Sequence, residues 1–273
     1  MRDTNRSHPW HTNMHHHILH EQGHTVLGDL PTVVHNTHIV HNRIRSASQD
    51  RSGNAHHEVR LVAVSKTKPV QDILDLYEHG HRHFGENYMQ ELIEKAQVLP
   101  KDINWHFIGH LQSSKANKLI KEVPNLFIVE TVDSEKLAMK LQAACESVNR
   151  EQLNIFVQVD TSGEETKSGV STEELLPLAD FIRDRCPRLK LCGLMTIGAA
   201  GDSQCFDALA RARTALCSHW SVDEQSLELS MGMSMDFEEA IAKGASSVRV
   251  GSTIFGERIY PNKTSNLSTN DQR

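Results

Sequence analysis

Short apolar runs alternate with helical stretches along this 273-residue chain, and that alternation limits its fold more than any other feature. The apolar runs, rich in β-branched residues, fall at 61–66, 82–85, 104–108, 126–130, 154–160, 189–195, 226–230 and 247–251. Helical stretches lie between them near 70–79, 87–98, 113–121, 134–148, 172–185, 203–219 and 236–243. Pro69 and Asp133-Ser134 mark helix starts, and Gly80 and Gly244 mark helix ends. Eight strands separated by seven helices is the rhythm of βαβ units and of a parallel sheet. Eight such units in roughly 200 residues fit the short end of a closed (β/α)8 TIM barrel. An open doubly wound sheet is the other architecture, but no glycine-rich dinucleotide turn follows the first strand to support it.

Ahead of the first strand, Val33, Val34, Thr37, Val40, Ile44 and Ala47 recur at helical spacing. With Pro31 in the first turn and Gly53 past the end, they predict an extra N-terminal helix over about 31–50. One domain over residues 31–260 is expected, followed by a polar tail at 261–273. Residues 1–30 are different material: His8, His11, His15, His16, His17, His20 and His24 crowd a segment with no apolar period. That segment reads as a disordered extension, with a metal-binding tail as the second reading.

A net charge of −6 and a pI near 6.3 argue against a nucleic-acid partner, which calls for a basic stripe. No apolar run approaches the roughly 18 residues of a membrane span, and no apolar signal core opens the chain. Five cysteines without a CxxC pair suit a reducing compartment. The expected location is therefore cytoplasmic. A mitochondrial address is the alternative, from two early arginines and low acidity.

In a barrel of this kind, chemistry gathers at the C-terminal ends of the strands. The first strand runs Leu61-Val62-Ala63-Val64-Ser65 and reaches Lys66. An amine held at an apolar barrel mouth loses hydration, which favours its neutral form, and a neutral amine attacks aldehydes. A solvated strand-end lysine is the plainer reading. After strands seven and eight come Gly232, Ser234, Gly251, Ser252 and Thr253. Glycine lets an anion approach bare N–H groups, and hydroxyls add donors, so these loops suit a phosphate. Ordinary turn and capping chemistry accounts for the same residues, and Asp236 competes for the same amides. Arg249 has the strand parity of Gly251 and reaches either into the barrel mouth or outward to a surface ion pair. Inside, a permanently protonated guanidinium beside a pyridine nitrogen would keep that nitrogen unprotonated. His79, His81 and His83 alternate, but Gly80 interrupts them and places them on a helix-end turn. Glu164 and Glu165 read as a solvated loop.

Seven motifs in order bring a known family into view. They are Ala63-Val64-Ser65-Lys66-Thr67-Lys68-Pro69, Phe84-Gly85-Glu86-Asn87-Tyr88, Trp105-His106-Phe107-Ile108-Gly109, Lys167-Ser168-Gly169, Gly193-Leu194-Met195-Thr196-Ile197, Gly232-Met233-Ser234 and Arg249-Val250-Gly251-Ser252-Thr253-Ile254-Phe255-Gly256. Over about residues 32–260 the chain resembles the pyridoxal phosphate homeostasis proteins, in their eukaryotic form. The resemblance implies an α/β fold, a single barrel like the N-terminal domain of alanine racemases. It implies pyridoxal 5'-phosphate (PLP) as cofactor, bound as an internal aldimine on Lys66. It also implies Ser234, Gly251 and Ser252 at the phosphate, Arg249 at the pyridine nitrogen and Asn87 near the ring. The implied role is to carry and buffer PLP, without robust catalysis. PLP-dependent apoenzymes are the expected partners, and a monomer or weak dimer the expected state. An amino-acid racemase is the alternative function. It is disfavoured because the barrel ends near Tyr260 with only a polar tail behind it, and because an arginine at the pyridine nitrogen weakens the cofactor as an electron sink.

Overall fold

The computed structural model describes residues 30–49, 58–162, 168–199 and 201–257. The His-rich segment, the C-terminal tail and the Glu164-Glu165 loop therefore lie outside the described residues, as does Lys167. The chain opens with helix α1 (Thr32–Gln49). Eight strands follow: β1 (Arg60–Val64), β2 (His83–Glu86), β3 (Asn104–Phe107), β4 (Leu126–Val132), β5 (Leu153–Gln158), β6 (Leu189–Met195), β7 (Glu228–Ser230) and β8 (Ser247–Val250). Between them run α2 (Val70–Glu78), α3 (Met89–Val98), α4 (Ala116–Glu122), α5 (Glu135–Ser147), α6 (Thr172–Arg185), α7 (Gln204–Trp220) and α8 (Phe237–Ala242), and α9 (Ser252–Phe255) follows β8. The strands are parallel and in sequence order, and β8 pairs with β1 to close the barrel. The expected (β/α)8 architecture and its extra N-terminal helix are both present. Among the described residues, no helix is long and apolar enough to cross a membrane.

Local chemistry sets the helix boundaries. Ser134 caps α5 by accepting from Leu137 N–H. Ser171 and Glu174 form a reciprocal capping box at the start of α6, satisfying two otherwise unpaired donors. On α1, Val33, Val34, Val40 and Ile44 are buried, and Asn36 Nδ2 donates to Ile254 O at 2.9 Å. This helix therefore packs beside the seam where β8 meets β1.

Several strand limits differ from the sequence reading, each for a local reason. β1 stops at Val64, two residues short of Lys66. Ser65 N–H still donates to Gly85 O, but Lys68 N–H folds back to Ser65 O, and Thr67 turns the chain at φ 63°. Lys66 thus sits in a turn beyond the strand. β4 extends to Val132 because residues 126–132 are nearly all buried. β7 begins at Glu228, since 224–226 are wound into a short 3-10 turn that Asp223 caps. His83 stands in β2, not on a helix-end turn.

Sheet faces follow from contacts. Lys95, on α3 outside the ring, bonds the Glu86 carboxylate, which also accepts from Ser65 Oγ, so those two side chains point outward. Val62 and Val64 therefore point into the bore. The bore is not uniformly apolar. Arg60 forks onto Glu228 (2.6 and 3.0 Å), and His83, His106, Glu130, Ser230 and Arg249 lie among the strands. Burial lowers the proton affinity of His106 and His83, and brings His81 down to about 4. Glu130 is pushed up by burial, but the His106 hydrogen bond and the charge of Arg249 outweigh this and keep it below the usual carboxylate value.

A histidine held neutral by the fold takes up a proton on unfolding once the pH drops below its unfolded value of 6.5. The unfolded chain then binds more protons, so stability must fall as pH falls. Each such histidine contributes about 1.4 kcal/mol per pH unit. Asp72, Glu86 and Asp133, each held above its ordinary value by burial, oppose this, against four lowered histidines, His41, His81, His83 and His106. Urea unfolding of the apo protein should show stability decreasing steadily from pH 7 to pH 5. A flat profile across that window would show that these histidines are protonated in the folded state.

Candidate functional site

The sequence-predicted residues lie on β7, β8, β1 and β2 or in the loops after them. These four strands are consecutive around the ring, so the residues share one half of the C-terminal barrel mouth. The turn that carries Lys66 is fixed from outside the bore. Lys95 Nζ donates to Ser65 O, Glu86 Oε1 and Glu91 Oε1, each at 2.7 Å, and Glu91 Oε1 accepts Thr67 N–H at 2.6 Å. Glu86 is wholly buried and Lys95 nearly so, and burial pushes the Glu86 carboxyl above its ordinary range. Lys66 itself is half-buried. Its neighbour Lys68 points elsewhere. The Lys68 ammonium donates to the carbonyls of Phe255, Gly256 and Glu257 at 2.8–3.0 Å, using all three of its donors. That clamp ties the β1 loop to the end of α9.

The loops after β7 and β8 meet at Ser234. Its Oγ accepts from Gly251 N–H at 3.1 Å and from Thr253 N–H at 3.5 Å. Gly232 has φ 89°, and a Cβ there would come within 2.5 Å of Ala240 Cβ, so only glycine fits the turn into α8. Asp236 takes Met233 N–H at 2.6 Å, so it competes for an amide of this loop as its position suggested. Ser252 is exposed, and Ser234 and Gly251 are half-buried.

Arg249 points into the bore and is 4% exposed. Its Nη1 donates to Ser230 Oγ and its Nη2 to Thr196 O, both at 2.7 Å. The outward, ion-paired alternative does not hold. Burial works against the guanidinium charge, while the carboxylates of Glu130 and Asp236 support it. Asn87 follows β2, and its Oδ1 is buried without a hydrogen-bond partner among the described residues. Gly109 is what lets the loop after β3 pass Asn87, since a Cβ there would fall 2.0 Å from Asn87 O.

Sequence reasoning missed three participants. Glu130 is a charge inside the apolar run Leu126-Phe127-Ile128-Val129, and a buried strand with one carboxylate signals a partner elsewhere. Lys95 gives no such signal, because a lysine on an amphipathic helix looks solvated. Ser230 closes the seventh apolar run at 226–230, where a lone serine reads as ordinary strand-end chemistry. Among the described residues, no three histidine, cysteine or carboxylate groups converge as a metal site.

A closed barrel with a lysine, an arginine and a hydroxyl-lined loop pair at one mouth defines an alanine-racemase-type barrel. Residues 39–259 match the family model described as alanine racemase, N-terminal domain. A Bos taurus relative named pyridoxal phosphate homeostasis protein is 49% identical over 217 residues, covering 75% of this chain and 79% of that protein. The chain belongs to the pyridoxal phosphate homeostasis protein family. Its fold is also similar to Synechococcus elongatus PipY solved with PLP bound, at TM-score 0.65 and 30% identity, covering 80% of this chain and all of that one. The alanine racemase of Corynebacterium glutamicum, at TM-score 0.61 and 16% identity, shares the fold, and 62% of its length is covered.

Replacing Lys95 with methionine leaves Glu86 and Glu91 without their cation and frees the Ser65–Thr67 turn. Stripping one partner from a buried ion pair should cost on the order of 3 kcal/mol. Chemical denaturation of the Lys95→Met protein measures it. A loss below about 1 kcal/mol, the range of exposed pairs, would mean the cluster does not hold the turn.

Proposed function

We propose that this chain binds PLP at the barrel mouth and carries and buffers it within vitamin B6 homeostasis, without running sustained catalysis. The observation that carries this reading is the position of Lys66 just beyond the end of β1, at the barrel mouth. Lys66 occupies a turn clamped on both sides, at Ser65 O and Thr67 N–H, and the Lys68 ammonium is directed to the carbonyls of Phe255, Gly256 and Glu257. Lys66 is then the amine that holds the cofactor's aldehyde carbon covalently. The relatives named as pyridoxal phosphate homeostasis proteins, and PipY with PLP bound, support the same cofactor.

The residues present suit this group. Ser234, with the backbone at Gly251 and Ser252, offers hydroxyl and amide donors for a phosphate. Arg249, buried beneath them, supplies a donor that stays protonated for the ring nitrogen. Asn87 Oδ1, buried and unpaired, is an acceptor awaiting a donor. When bound, PLP supplies an electrophilic carbon and an electron-withdrawing ring. In this chain Lys66 binds, Ser234 and its neighbouring amides orient, and Arg249 keeps the ring nitrogen unprotonated. That last effect weakens the cofactor as an electron sink and disfavours broad carbanion chemistry. The names of the relatives point the same way. The PLP so held is available to PLP-dependent apoenzymes in the same compartment.

Borohydride trapping followed by peptide mapping tests the site. Label should appear on Lys66, and Lys66→Ala should lose both label and visible absorbance. Lys68→Ala should keep both. Label on Lys68 in the wild-type chain would overturn the assignment.

A chiral assay over the common amino acids, with PLP saturating, tests the absence of turnover. Racemisation or decarboxylation should stay far below ~1 s⁻¹, the low end of ordinary enzyme rates. Sustained turnover at that rate, abolished in Lys66→Ala, would make the protein an enzyme.

A further inference from the structure

Two arginines and two carboxylates share the bore, Arg249 and Glu130 buried, Arg60 and Glu228 half-buried, and they are joined in different ways. Arg60 grips Glu228 directly, nitrogen to oxygen at both prongs (2.6 and 3.0 Å). Arg249 does not touch Glu130. Ser230 stands between them: its Oγ accepts from Arg249 Nη1 at 2.7 Å and donates to Glu130 Oε2 at 2.6 Å. A direct fork commits two N–H groups of a guanidinium to one carboxylate. The hydroxyl bridge commits one, Thr196 O takes a second, and the other N–H groups of the guanidinium remain uncommitted.

Behind Glu130 the chain of bonds continues. His106 Nδ1 lies 2.6 Å from Glu130 Oε1, and His106 Nε2 lies 2.9 Å from His83 Nδ1. His83 Nε2 faces Asn104 Nδ2 at 3.4 Å. One assignment of protons satisfies every link. Asn104 donates to His83, His83 Nδ1–H to His106, His106 Nδ1–H and Ser230 O–H to Glu130, and Arg249 to Ser230. Both histidines are then neutral, Glu130 is an anion, and the only cation of the chain is Arg249. Burial disfavours protonation of both imidazoles, in keeping with this assignment. Chains of this kind strengthen each link and hold a single geometry.

We propose that Glu130 is a positioning residue for Arg249, acting through Ser230 to aim and charge-balance the guanidinium that meets the cofactor's ring nitrogen. The carboxylate offsets the cost of a buried cation without taking any of the guanidinium's own N–H donors. The inference rests on the reading that PLP binds here with its ring nitrogen at Arg249. It predicts that Glu130 and Ser230, with Ser230 in register with Ser247 and so set below Arg249, decide how well the protein senses that one atom.

The test is a comparison of two ligands on the full-length chain, PLP and 1-deaza-PLP, in which carbon replaces the ring nitrogen. Dissociation constants are read by absorbance titration for the wild type, Ser230→Ala and Glu130→Gln. The wild type should prefer PLP by on the order of ten- to a hundredfold, the worth of a hydrogen bond from a charged donor. Both variants should bring the two ligands to within about threefold of each other, with 1-deaza-PLP binding nearly unchanged. A variant that keeps the wild-type preference, or weakens both ligands equally, reduces Glu130 and Ser230 to core packing and overturns the proposal. Should Glu130→Gln fail to fold, Ser230→Ala decides alone, because it breaks the bridge and leaves every charge in place. A wild type that binds neither ligand overturns the cofactor reading itself. A wild type that binds both equally places Arg249 away from the ring nitrogen.

Discussion

The charge of Arg249, buried inside a closed ring of strands, is the constraint around which the rest is arranged. A guanidinium taken out of water is tolerable only if its hydrogen bonds and its charge are both met. Here the carbonyl of Thr196, just past β6, meets one bond, β7 supplies the Ser230 bridge, and β4 supplies the carboxylate. Three strands are thereby fixed relative to β8. His106 and His83 extend the demand to β3 and β2, and Arg60 with Glu228 repeats the problem and its solution between β1 and β7. A packed aliphatic bore would be the simpler solution for a barrel of this size. The polar bore makes sense if the arginine is needed where it is.

The mouth is fixed by a second set of contacts that lies largely outside the ring. The Lys95–Glu86–Glu91 cluster anchors the β1 turn to α3, and Lys68 anchors the same loop to the end of α9. Ser234 anchors the loop after β7 to the amides after β8. The three elements that present Lys66, Ser234 and Arg249 are therefore connected by short bonds and not left to loop flexibility. A site that must hold one small charged molecule by several groups at once gains affinity from such rigidity.

The barrel is shared with alanine racemases, yet the fold alone does not carry their activity. At 16% identity the likeness to the Corynebacterium glutamicum racemase is one of architecture. The relatives at nearly half identity carry a homeostasis name.

The sequence by itself determined the order of strands and helices and the barrel class, because apolar periodicity and capping residues act locally. It also brought Lys66, Asn87, Ser234, Arg249, Gly251 and Ser252 to one barrel end, since strand ends are legible and the ring order of a parallel barrel follows the chain. Strand limits were less legible. β1 ends at Val64 because Thr67 turns and Lys68 folds back onto Ser65, bonds that no periodicity encodes. Only the tertiary structure decided which charges belong together. Glu130 and Ser230 lie 100 residues apart, and Arg249 joins them from a third strand. Lys95 looks like a solvated helix lysine until α3 packs over Glu86. Pairings of that kind arise when closing the barrel removes water from groups distant in sequence, and each group must then find its partner across the bore.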